Sequence, residues 1–171
     1  GTFLSPGVAE FRAHMVNVVR ELVTTYDVDG IHLDYVRYPN KNYSFDPHSR
    51  SRFLLTYGVD PVELAGNRKT LEKVVGARTL AALDSLQSVS RSAQVDSMVA
   101  AIHGACGGKP LSAAVIADYT NARGDKGQDG TRWVHKRWVD FVVPMAYSMT
   151  PLELEGQAVI YNRMVGVEHG R

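Results

Sequence analysis

The chain is 171 residues long, 44% hydrophobic and 22% charged, with a formal charge of +1 at pH 7. That length can bury one good core, so a single domain over residues 1–171 is expected. The balanced charge, with basic residues scattered rather than massed, excludes an electrostatic case for nucleic acid or an anionic membrane surface.

Cysteine usage and hydropathy narrow the reading further. The lone cysteine, Cys106, excludes an internal disulfide and a cysteine metal cluster, and reads as a small apolar filler near a helix end. No charged segment leads into an apolar run and no apolar stretch reaches about 18 residues, so neither a targeting signal nor a membrane span is readable. With Gly1 rather than Met at the first position, localisation stays open.

Ser5-Pro6 reads as an N-cap followed by proline at the first helical position. Val16, Val19, Val23 and Tyr26 recur at three- or four-residue intervals, which carries that helix to about Tyr26. The Asp29-Gly30 turn then feeds a strand, Ile31 to Tyr35. From Asn40 to Pro61 the composition turns to Asn, Ser, Asp, Pro and aromatics; Asp46-Pro47 and Asp60-Pro61 mark turns, with a short helix between Ser49 and Tyr57. Leu64 to Gln87 reads as weakly patterned helix, and Ala93 to Ala105 as a better amphipathic one that stops at Gly107-Gly108. A second strand runs from Leu111 to Ala117, tipped by Asp118-Tyr119 and followed by an aperiodic Gly-, Asp- and Lys-rich loop from Asn121 to Gly130. A short helix from Trp133 to Trp138, a third strand from Phe141 to Ala146 tipped by Tyr147-Ser148, and a helix from Pro151 towards Met164 complete the pattern. Strands alternating with helices indicate α/β class and a parallel sheet. Three strands are few for a free-standing α/β domain, whereas a (β/α)8 barrel usually needs roughly 250 residues, so the chain reads as part of such a barrel.

In parallel α/β folds ligands bind at the carboxyl ends of strands, where rigid strands give way to variable loops. The most informative stretch, YDVDGIHLDYVRYP (Tyr26 to Pro39), delivers Asp34, Tyr35, Arg37 and Tyr38 at such an end. Strand alternation puts His32 and Asp34 on one face, towards the barrel interior, and Ile31, Leu33 and Tyr35 on the other, towards the helices. A partly desolvated Asp34 beside Arg37 can be tuned as acid, base or nucleophile; the competing reading is a helix cap or a surface pair with Arg37. His32 reads as a core histidine or a substrate contact. The His-x-Asp spacing also lets both side chains meet one ion, but the remaining histidines are dispersed with no ligand-spaced pair, so neither metal nor cofactor is expected. Phe141, Val143, Met145 and Tyr147 share a face of the third strand; Met145 offers an apolar floor and Tyr147 a hydrogen bond to substrate, or both simply pack the barrel. Asp118 and Tyr119 have the same double status at the second tip. The tips are rich in aromatics, which suits stacking on sugar rings and equally suits closing a barrel.

YDVDGIHLDYVRYP, followed by SFDPHSRSRF, LSAAVIADY and WVDFVVPMAYS in that order, resembles the glycosyl-hydrolase-like 10 family of (β/α)8 barrels. The resemblance implies strands four to six of the barrel with their helices, hydrolysis of glycosidic bonds in a polysaccharide, and often export. The pairing of a DG-x-x-x-D strand with a later M-x-Y strand is also similar to the family 18 chitinases, which carry a Glu beyond the Asp cluster; here Tyr35 follows Asp34, leaving Asp34 as the motif's only carboxylate. The expectation is a glycosidase with Asp34 as one carboxylate, Asp118 as its partner, and Asp46, Asp125 and Asp129 as weaker candidates, acting on a polysaccharide or oligosaccharide. Arg37 and Tyr147 would orient the acid and stabilise developing charge. The alternatives are a carbohydrate-binding barrel without turnover and a metal-dependent hydrolase using His32 and Asp34.

Overall fold

A computed structural model describes residues 4–147 and 150–165, so Ser148 of the third tip lies outside the described residues. The first helix, α1 (Ala9–Thr25), starts at Val8 without a side-chain cap. Ser5 does not cap it, contrary to expectation: Ser5 and Pro6 sit in a turn before the helix, and the Ser5 hydroxyl donates to Asp46 Oδ2 at 2.7 Å. The Ser5 oxygen does accept a local amide, the Gly7 N–H at 3.2 Å, but that amide belongs to the turn and not to the helix. Val19 is buried in the core, with Phe11, Met15, Val16 and Val23 packed against it, whereas Tyr26 lies past the last turn and is exposed.

Strands β1 (Ile31–Leu33), β2 (Leu111–Ile116) and β3 (Phe141–Met145) form a parallel sheet in the order β1-β2-β3. Gly30 admits the first pairing, because a Cβ there would stand 2.7 Å from the Pro110 carbonyl oxygen that accepts the Ile31 N–H. His32 lies opposite Ser112 and Ser112 opposite Phe141; Ala114 meets Val143 and Ile116 meets Met145. Alternation therefore gathers these residues on one face, while Leu33, Leu111, Ala113, Val115 and Val142 occupy the other, under the helices. On the first face Phe141 is 54% and Val143 43% exposed.

The excursion between β1 and β2 is helical: α2 (Pro47–Tyr57), α3 (Pro61–Gly66), α4 (Arg68–Val75) and α5 (Ala77–His103). Asp46 and Asp60 cap α2 and α3, accepting from Ser49 N and Val62 N, with proline in each first turn. The break expected within α5 is absent; Arg91, Gln94 and Asp96 interrupt its apolar stripe but are buried against tertiary partners. Val95, Met98, Val99 and Ile102 cover the sheet, while Leu80 and Leu83 join Phe53 and Leu64 in a second core. At 1.5 Å per residue the 27 residues of α5 span ~40 Å, against ~20 Å for the six of β2. Because α5 returns the chain to the start of β2, its first half stands beyond the strands' carboxyl ends and carries α2, α3 and α4 with it.

After β2, helix α6 (Tyr119–Lys126) replaces the expected aperiodic loop: Asp118 caps it and Gly127, at φ 67°, ends it in the left-handed conformation. Helix α7 (Gly130–His135), capped by Asp129, begins earlier than the expected Trp133. The Trp133 side chain is fully buried and its indole N–H donates to Asp96 Oδ1 at 2.7 Å. Helix α8 (Pro151–Val165) follows β3, and its Tyr161 hydroxyl donates to the Ile116 carbonyl at 2.7 Å. Cys106 is buried just past α5, as a filler should be. Mixed α/β class and a three-stranded parallel sheet are thus established, an arrangement compatible with part of a barrel. No helix among the described residues is long and apolar enough to cross a membrane.

Candidate functional site

The tip of β1 is built by a strained turn. The strand stops at Leu33 rather than Tyr35, because Tyr35 takes a φ of 55°, a left-handed conformation that costs a bulky residue about 1–3 kcal/mol. The Tyr35 N–H donates to Asp34 Oδ1 at 2.7 Å, the Arg37 N–H to the Tyr35 carbonyl at 2.8 Å, and the Arg37 guanidinium lies 4.4 Å from the centre of the Tyr35 ring. Tyr35 consequently turns out to solvent, 66% exposed, instead of packing under the helices as alternation predicted. Asp34, Tyr35 and Arg37 line a cavity of about 590 Å³ whose apolar floor includes Phe11, Met15, Leu33, Met98 and Ile102. Arg37 Nε is buried there without a hydrogen-bond partner. His32 sits lower, on the exposed sheet face, with Nδ1 2.8 Å from Ser112 Oγ.

The chain beyond the turn is pinned to α5. The buried Tyr38 hydroxyl donates to Gln94 Oε1 at 2.5 Å, and the Ser44 and Ser49 hydroxyls reach the same oxygen at 3.2 and 3.0 Å. Burial raises the Tyr38 phenol's pKa, opposed by hydrogen bonds with Ser44 and Ser5. Burial also pushes the Asp46 carboxyl up, but donors from Ser49 and Ser5 outweigh it and leave the pKa below the usual value. The buried Arg91 donates to the carbonyls of Asn40 and Asp125 at 2.8 and 2.9 Å, tying the loop after β1 to the end of α6. Lys126 Nζ to the Pro39 carbonyl and Tyr38 N to the Lys126 carbonyl close the same seam.

Of the other expected site residues, Asp46 also lines this cavity, and the rest lie outside it. Asp118, at the tip of β2, accepts the Thr120 and Asn121 N–H groups at 3.0 and 3.1 Å through Oδ1 as the α6 cap. The Tyr119 hydroxyl is 3.3 Å from Asp129 Oδ1, and its ring meets Tyr161 edge-on at 6.2 Å. Met145 is half-buried opposite Ile116, and Tyr147 is 91% exposed. The weaker acidic candidates hold structure together: Asp46 caps α2, Asp129 caps α7, and Asp125 pairs with Lys126 at 2.7 Å and accepts the Lys41 N–H. Among the described residues no group of three or more His, Cys, Asp or Glu could hold a metal ion. Sequence reasoning missed Ser112, Arg91 and Gln94. Ser112 alone carried a readable signal, as the one polar side chain in LSAAVI.

No curated protein matches the chain. The family model described as glycosyl hydrolase-like 10 matches residues 1–158, nearly the whole sequence and all three strand tips. The chain therefore belongs to the glycosyl hydrolase-like 10 family, and with it to a carbohydrate-related function.

Proposed function

We propose that the protein is a glycoside hydrolase acting on a polysaccharide, with Asp34 as one of its two working carboxylates. The observation that carries this reading is Asp34 itself, at a strand tip, opening on a cavity whose one lining cation is Arg37 and whose rim carries the outward-turned Tyr35. The Tyr35 N–H fixes the carboxylate through Oδ1 and leaves Oδ2 for substrate. Glycoside hydrolysis needs a second carboxyl: one protonates the leaving oxygen as the C–O bond breaks, and the other attacks the anomeric carbon or activates the water that does. Asp118 at the neighbouring tip is the partner in this reading, with its Oδ2 outside the α6 cap. Arg37, on the same turn, meets negative charge that develops in the cavity, and Tyr35 offers a face for a sugar ring. His32, Tyr119, Met145 and Tyr147 complete the substrate contacts in the intact barrel.

The experiment is reducing-end release from polysaccharide by the intact protein. Asp34→Asn should abolish it while moving the melting temperature by only a few degrees, since Asp34 is exposed and makes one local hydrogen bond. Retained turnover removes Asp34 from the chemistry. A second reading, a carbohydrate-binding barrel without turnover, draws on the engagement of Asp46, Asp118, Asp125 and Asp129 in caps and ion pairs. It predicts sugar binding with no product in the unmodified protein.

A further inference from the structure

We propose that the Asp34 cavity is the first part of a trough that binds an extended polysaccharide chain, so that cleavage falls inside the polymer rather than at its end. This rests on the glycosidase reading and specifies its substrate. Two more cavities, of about 490 and 540 Å³, lie alongside the first. Asn42 and Phe45 line both the first and the second; Ser88 and Gly124 line both the second and the third. Each is large enough for a small ligand by itself, for which roughly 300–1,000 Å³ is usual. Three in a row suit a polymer.

The position fits as well. The trough's outer wall is the stretch of α5 from Asp84 to Ser92, the part of that helix level with and beyond the strand tips. A crossover helix that only covered the sheet would need no such extension; this one supplies Asp84, Ser85, Gln87, Ser88 and Ser92 to the lining. The lining is rich in hydroxyl and amide groups, with Phe45 at the first junction and Tyr119 in the third cavity, which suits sugar hydroxyls and the apolar faces of pyranose rings. The rim arginines are already matched: Arg68 with Asp84 at 2.5 Å, Arg123 with Asp129 at 3.4 Å and Arg132 with Asp96 at 3.1 Å. Arg91 is turned to backbone carbonyls. Over the three cavities the lining cations Arg37, Lys41, Arg68, Arg91, Arg123 and Arg132 stand against Asp34, Asp46, Asp84, Asp96 and Asp129, a near balance of charge that favours neither polyanion nor polycation, so the fitting occupant is a neutral chain.

The test titrates the 15N-labelled intact protein with size-fractionated neutral oligomers of glucose, xylose and N-acetylglucosamine, of two, four and six units in each series. The expected result is affinity that rises at least tenfold from two to six units in one series. Shifts should spread from Asp34–Arg37 for the dimer to Gln87, Ser88, Gly124 and Thr120 for the hexamer. Ser88→Trp, which blocks the second junction, should cut hexamer affinity about tenfold towards that of the dimer. Binding at Asp34–Arg37 with affinity flat beyond the dimer, or preference for uronic-acid oligomers, overturns the trough and leaves the glycosidase reading standing. Shifts at Asp34–Arg37 with none of these sugars overturn both.

Discussion

Asp46 reads in sequence as one of the weaker candidates for a second carboxylate, in a polar loop beyond a strand tip, and in the structure it fastens that loop. Its Oδ1 accepts the Ser49 N–H at 2.9 Å as the cap of α2, and its Oδ2 accepts the hydroxyls of Ser49 and Ser5, each at 2.7 Å. Asp46→Ala removes all three. Loss of an N-cap costs about 0.5–2 kcal/mol, and a hydrogen bond to a charged group contributes about 1.5–3 kcal/mol. Ser49 has a second acceptor in Gln94 Oε1 at 3.0 Å, so only the Ser5 bond is lost outright beyond the cap. The sum is about 2–5 kcal/mol, a large share of the 5–15 kcal/mol typical of a domain. Asp46→Asn keeps a competent cap and should cost about half as much. Urea unfolding followed by tryptophan fluorescence and circular dichroism measures both. The pH dependence has a definite sign: the folded pKa is depressed, so the contribution is present above the ordinary value of 3.8 and is lost as pH falls through the lower folded one. The gap between wild type and Asp46→Ala should therefore narrow in acid. An Asp46→Ala variant within 0.5 kcal/mol of wild type, or a gap that widens in acid, would refute the reasoning.

Three further outcomes follow from the same geometry. A Cβ at Gly7 would overlap Ser49 Oγ and Gln94 Oε1, so Gly7→Ala should destabilise by about 1–3 kcal/mol in the same urea titration, with no loss of helical signal before the transition. Burial raises the Asp96 carboxyl's pKa, with Trp133 and Arg132 opposing, so the folded state holds a proton that the unfolded state has released; wild-type stability falls with rising pH between 3.8 and the raised value. Asp96→Asn has no such proton, and its deficit against wild type should shrink as pH rises through that window; a constant deficit from pH 4 to 7 would remove burial as the cause. The isolated chain, with Phe141 and Val143 exposed on the sheet face and β1 and β3 as open edges among the described residues, should self-associate in sedimentation velocity, and Val143→Lys should shift it towards monomer.

Much of the scaffold was legible because local rules and the tertiary fold agree. The short helix expected between Ser49 and Tyr57 is α2, and alternation in the first strand put Leu33 under the helices, while Asp46-Pro47 and Asp60-Pro61, read as turns, are the caps and first helical positions of α2 and α3. The misreadings share one physical origin, polar groups whose partners are distant in sequence. Ser5 looked like a cap and instead meets Asp46, 41 residues away. Arg91, Gln94 and Asp96 broke the apolar period of α5, although each is buried against a loop or helix that periodicity cannot see. Helix α6 was readable in principle, since Asp118 and Gly127 bracket it, but TNARGDK has no apolar stripe and its stability comes from the caps and from the docking of Ala122. At the site, Asp34, Tyr35 and Arg37 fall together because they lie within four consecutive residues of one turn. Asp118, Tyr119 and Tyr147 sit on other strands or helices, and sequence order does not fix how far apart two tips stand.

The strain at Tyr35 and the polar anchoring of the loop behind it belong to one arrangement. A left-handed tyrosine costing about 1–3 kcal/mol persists only where the following segment cannot relax it. Here the residues from Tyr38 to Asp46 are tied to α5 by Gln94 and Arg91 and to the end of α6 by Asp125 and Lys126, six hydrogen bonds onto elements that also build the core. An apolar anchor would bind the loop without fixing its register, since dispersion is non-directional, whereas three donors converging on one amide oxygen specify where each hydroxyl must lie. That specification is carried back through Pro39 to Arg37 and Tyr35, and so to the direction of the Asp34 carboxylate. The same helix whose second half closes the hydrophobic core thus sets the geometry at the strand tip, and a perturbation at Gln94 should be felt at Asp34 with no contact between them.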